Sequence, residues 1–78
     1  MNDLVVLRNI FREVFDDEFL SITEETSRND LEEWDSIGHV KLVLTVESEF
    51  GIRLSTEEVA TIKCVSDFLA VIKRHEGE

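Results

Sequence analysis

The sequence predicts an all-α fold, a bundle of four helices with a long loop between the first and second and a short third helix. Three observations predict it. Apolar residues recur at three- and four-residue steps in separate stretches. Asp, Ser and Ser-x-x-Glu helix-start signals stand before those stretches. The chain contains no proline, no internal repeat and no convincing strand pattern.

In the first stretch Leu4, Leu7, Phe11, Val14 and Phe15 form a stripe that Val5 and Ile10 widen, with Arg8, Arg12 and Glu13 opposite. A helix is expected from Asn2 or Asp3 to about Asp16, because Asp16, Asp17 and Glu18 place negative charge at the disfavoured end of its dipole. From Phe19 to Trp34 no period is sustained. This is the long loop, and loops of that length are usually functional or pinned down; Leu20, Ile22, Leu31 and Trp34 are the expected pins, with a short helical turn around Glu24 to Arg28.

The second helix is expected from Ser36, behind an Asp35 N-cap, to about Phe50, with Gly51 in the left-handed conformation past its end. With Ser36 at zero and 3.6 residues per turn, Leu42, Val43, Val46 and Phe50 fall between about 240° and 340°, a core arc that also contains His39 at about 300°. Ile37, Val40 and Leu44 fall on a second arc, at roughly 40° to 100°. That arc is read in two ways: a bundle surrounding the helix on two sides, or an exposed apolar strip beside Ser36 for a partner or cargo.

Ile52 and Leu54 anchor a short connection, and the Ser55 to Glu58 spacing is that of a capping box opening a short third helix through Val59, Ala60 and Ile62. Val65 precedes Ser66, the expected N-cap of a fourth helix whose buried face is Phe68, Leu69, Val71 and Ile72 and which ends near Arg74. The tail Glu76-Gly77-Glu78 is expected to fray.

With 78 residues, a single domain spanning 1–78 is expected. Eighteen acidic against eight basic residues give a formal charge of −10, which repels phosphate backbones and anionic lipids, so neither nucleic acid nor membrane is an expected partner. Such a surface either serves solubility or docks onto basic patches of other proteins. A lone cysteine, Cys64, and the lack of a leader pattern or a long apolar run fit a soluble monomer in the reducing cytoplasm.

Reactive groups are sparse. His39 lies in the core arc and reads as a packed histidine, His75 lies in the fraying end, and Cys64 reads as a small hydrophobe. The acidic clusters match no calcium loop, and no metal site is expected. Ser36 has no base near it in sequence, so its hydroxyl is either part of a cap or a point of attachment activated by another enzyme. A helix start, with free N–H groups and the positive dipole end, accommodates a negatively charged group there.

The stretch Leu31-x-x-Trp34-Asp35-Ser36-Ile37-x-x-Val40-x-Leu42 resembles the phosphopantetheine attachment motif of acyl carrier proteins. Val46-Glu47-x-Glu49-Phe50-x-Ile52-x-Leu54, then Glu57-Glu58 and Ile62-x-x-Val65-x-Asp67-Phe68, extend the resemblance over essentially the whole chain. It implies a free-standing carrier, not a catalyst, with no catalytic residues: 4′-phosphopantetheine attached to Ser36 by a phosphopantetheinyl transferase, and acyl groups carried as thioesters to acyl-activating and acyl-transferring enzymes. It further implies that Asp35 positions the transferase and that Ile37, Val40, Leu44 and Glu47 face partners. Lys41 stands where many fatty-acid carriers have Glu, and Trp34 and His39 are not the commonest choices, which points to a specialised biosynthetic pathway. The other readings are an aminoacyl or peptidyl carrier served by aminoacyl-activating enzymes, and a small acidic helical adaptor with unmodified Ser36.

Overall fold

A computed structural model describes residues 3–76. Four α-helices follow in order, α1 Asp3–Val14, α2 Ser36–Phe50, α3 Thr56–Thr61 and α4 Val65–Glu76. Asn2, Gly77 and Glu78 lie outside the described residues. None of the described helices is long and apolar enough to cross a membrane.

Helix α1 stops two residues before the expected Asp16, for a reason of backbone geometry. Asp16 takes a left-handed φ of 52°, and the Asp17 N–H turns back 2.9 Å to the Arg12 carbonyl while the Asp16 N–H reaches Glu13 at 3.3 Å. These two bonds satisfy carbonyls that the last turn leaves open. Leu7, Ile10 and Phe11 are buried, whereas Val5 faces outward instead of widening the stripe.

The long loop is held by its backbone as much as by its side chains. Arg12 Nε donates to the Leu20 carbonyl at 2.6 Å, and Ile22 and Trp34 enter the core with Leu20 and Leu31 half-buried beside them. The helical turn forms later than expected, as a 3-10 turn at Arg28–Asp30. Its register is set by the Asp30 carboxylate, which accepts the Ser27 N–H at 2.9 Å and the Ser27 hydroxyl at 3.2 Å.

Helix α2 has the expected bounds. The Asp35 carboxylate caps its start, and Gly51, at φ 65°, sends its N–H to the Glu47 carbonyl at the end. Helix α3 opens on the expected capping box, the Ser55 hydroxyl accepting the Glu58 N–H at 3.1 Å and the Glu58 carboxylate accepting the Ser55 N–H at 3.0 Å.

Helix α4 departs from expectation at both ends. It begins at Val65, so Ser66 lies inside the helix and does not cap it. The caps come from the long loop: the Val65 N–H donates to the Thr26 carbonyl at 2.8 Å and the Ser66 N–H to Glu24 at 3.0 Å. With Arg28 N–H on the Lys63 carbonyl at 3.1 Å and an antiparallel bridge between Ser27 and Cys64, the loop is sewn onto the connector before α4. At the other end the helix continues to Glu76, because half-buried His75 meets the Glu58 carboxylate at 3.1 Å and ties the last turn to α3.

All four helices, or the residues flanking them, feed one core. Phe11, Trp34, Leu42, Val46, Ile62, Val65, Phe68 and Ile72 are all 2% exposed or less. Phe11 packs edge-on to Trp34 and Phe68 at ring-centroid distances of 5.1 and 6.2 Å, an arrangement favoured by the ring quadrupoles.

Candidate functional site at the start of helix α2

Asp35 has extended backbone, φ −93° and ψ −167°, and its carboxylate accepts the Gly38 N–H at 2.8 Å. Its carbonyl accepts the His39 N–H at 2.8 Å, the first bond of the helix. The first N–H groups of a helix have no acceptor within it. Asp35 takes that of Gly38, which leaves those of Ser36 and Ile37 at the positive end of the dipole, beside an exposed Ser36. A phosphodiester on the Ser36 hydroxyl fits this setting by charge and by access.

Gly38 belongs to the same construction, though the sequence reading did not single it out. It is buried, and a Cβ here would collide with the Glu33 carbonyl and lie 3.1 Å from the Phe15 ring. The loop backbone therefore leans directly on the first turn of α2, which fixes the path through Trp34 and Asp35. The available signal was a glycine within a helical pattern, which often marks a close approach.

One layer below, Trp34 and His39 lock the turn to the core. The indole Nε1–H donates to His39 Nδ1 at 2.9 Å. That bond puts the ring proton on Nε2, which donates to the Val59 carbonyl of α3 at 3.0 Å. The rings of Trp34 and Phe68 stack at 6.0 Å. His39 is thus the packed histidine expected from its arc, with both nitrogens engaged, so it is not a base for Ser36.

Outside the turn, Ile37, Val40 and Leu44 are 68%, 53% and 60% exposed. The second arc is therefore exposed and not covered by the bundle. Lys41 is exposed at its border. Glu47 is half-buried, and one of its carboxylate oxygens accepts the Leu54 N–H at 2.8 Å, so it braces the connection after α2. Asp35, Ser36, Ile37, Val40, Lys41 and Leu44 are all exposed along one helix. Among the described residues no group of three His, Cys, Asp or Glu side chains is placed to hold a metal ion.

Away from Ser36, Glu58 sits in a setting that favours its ionised form. The Ser55 N–H, above all, and the His75 ring hold the Glu58 carboxyl below its ordinary value, against a smaller opposing effect of burial. This belongs to the α3–α4 contact.

Comparison with known proteins agrees with the geometry. The family described as "Phosphopantetheine attachment site" matches residues 5–72. The chain is 38% identical over 72 residues to an acyl carrier protein of Lactobacillus acidophilus, covering 91% of this chain and 89% of the relative. It is 38% identical to an acyl carrier protein of Rickettsia bellii over 43 residues, 55% of this chain and 53% of that one. The solution structure of a holo acyl carrier protein from Geobacter metallireducens superimposes with a TM-score of 0.89 at 35% identity, covering 99% of this chain and 88% of that chain.

Proposed function

The chain belongs to the phosphopantetheine-attachment family of acyl carrier proteins, and from that premise we propose that Ser36 is the residue on which its prosthetic group is carried. The carrying observation is the exposed Ser36 hydroxyl at the first residue of α2, where the neighbouring N–H groups and the dipole favour a phosphodiester. 4′-Phosphopantetheine supplies a flexible arm ending in a thiol, on which acyl groups ride as thioesters. Residues of this chain present the hydroxyl and perform no chemistry on it: the one histidine near in sequence, His39, is engaged at both nitrogens. The transfer to Ser36 is the work of a phosphopantetheinyl transferase, which reads Asp35 beside it.

Intact mass tests the assignment. Incubation with coenzyme A and a broad-specificity phosphopantetheinyl transferase should add the mass of one phosphopantetheine, and Ser36→Ala should abolish the addition. An unchanged wild-type mass would return the chain to the reading of an unmodified helical adaptor.

Acyl-handling enzymes are the partners, and we propose the strip of Ile37, Val40 and Leu44 as the face they read. Its support is three large apolar side chains that the core does not use, contiguous with Ser36 on one helix. Lys41 on its border selects partners with acidic rather than basic complement, consistent with a specialised pathway in the cytoplasm. Lys41→Glu should therefore raise the rate of acyl transfer from a fatty-acid-type partner without altering thermal stability. Equal rates for the two proteins would remove this charge as a discriminator.

A further inference from the structure

A second site lies away from the exposed strip, where the long loop meets the connector before α4. A surface concavity of about 490 Å³ is lined by Ser27, Arg28, Asn29, Trp34 and Lys63. The Arg28 N–H to Lys63 carbonyl bond of 3.1 Å and the Ser27–Cys64 bridge beside it hold two cationic residues on facing backbone segments. Like charges placed opposite each other across paired backbone are unfavourable.

This chain, with 18 carboxylates, has ample means to neutralise them, yet it does not. Among the described residues the ion pairs are those of Arg74 and His75 with Glu58. The carboxylates of Asp30 and Asp67 turn instead to backbone donors, Asp30 to the Ser27 N–H at 2.9 Å and Asp67 to the Lys63 N–H at 2.9 Å. The head groups of Arg28 and Lys63 and the amide of Asn29 are therefore donors without an acceptor among the described residues.

The geometry points to a site for a phosphate-type oxyanion in this concavity, held by the Arg28 guanidinium and the Lys63 ammonium with the Asn29 amide as a further donor. Arg28 offers the planar fork that pairs two oxygens at once, and Lys63 a mobile point charge. The oxyanion is that of a free phosphate monoester, because Ser36 does not line this concavity.

Trp34 is the chain's sole tryptophan and lines the concavity, so its emission reports occupancy. The unmodified protein is titrated with sodium phosphate and, at matched ionic strength, with sodium chloride, following Trp34 emission and the amide NMR shifts of residues 27–29 and 63. A saturating response to phosphate alone is expected. Arg28→Gln and Lys63→Gln should each weaken it about tenfold, as loss of one charge-assisted hydrogen bond implies, and Arg28→Lys should restore part of the loss. Thermal melts confirm that these surface variants remain folded.

The phosphopantetheine-loaded protein, verified by its mass, should give the same saturating response, since Ser36 does not line the concavity. No saturating response to phosphate, a response that tracks ionic strength, or one unchanged in both Gln variants overturns the site while leaving the mass test of Ser36 untouched.

Discussion

At Gly38 the Glu33 carbonyl occupies the place a side chain would need. Alanine is favoured over glycine within a helix by about 1 kcal/mol. A contact forced on a backbone atom costs typically ~1–3 kcal/mol, and a carbonyl yields less readily than a flexible side chain. The collision is with backbone and lies at the upper end of that range, so Gly38→Ala should lower stability by a net of up to ~2 kcal/mol, and slow modification of Ser36 by displacing Asp35. Denaturant unfolding combined with the rate of mass gain checks both; an unchanged rate in a folded variant would show that the approach is not needed to present the serine. Trp34 and His39 illustrate a different limit on reading residues one by one. Each was legible as a packed side chain, Trp34 as a pin of the loop and His39 from its angle on α2. Their mutual bond and the onward bond to Val59 were not, because nothing in sequence spacing relates the edge of an indole to a carbonyl on another helix.

Whole helices were legible where their boundary signals are local. Asp35 and Gly51 bracket α2, and Ser55 and Glu58 open α3, through bonds between residues close in sequence. The start of α4 was misplaced because its caps are carbonyls of Glu24 and Thr26, and any residue type offers a carbonyl. The end of α1 was overrun because Asp16 fills the left-handed position where glycine is the usual marker. Glu58 serves two elements, closing the capping box of α3 while its carboxylate receives His75 and Arg74 from α4. Its carboxyl is held below its ordinary value in the folded chain. A depressed folded value means the contribution is complete above the unfolded pKa and is lost as pH falls through the folded one. Glu58→Gln should thus flatten the acid side of the melting-temperature profile relative to wild type, and parallel profiles would show that ionised Glu58 does not couple the two helices.

On the scale of the molecule, the buried and exposed faces of α2 separate two tasks. Leu42, Val43 and Val46 close the core, while Ile37, Val40 and Leu44 are left to the surface. The periodicity revealed both arcs but not which was covered, since coverage depends on where the loop and α3 come to rest. The cationic concavity was equally hidden, because Arg28 and Lys63 are distant in sequence and meet only through the loop's attachment. That attachment also sets an order of events in time. The first turn of α4 completes its hydrogen bonds with residues some forty positions upstream, and contacts of such separation form only after the intervening chain has been ordered. The amino end of α4 should therefore join after the rate-limiting barrier, whereas the locally capped α2 forms early. Val65→Ala should accelerate unfolding and leave the refolding rate nearly unchanged in a chevron measurement; slowed refolding would place this seam in the nucleus instead. A loop that looks like slack in the chain should be the last latch to close and the first to open.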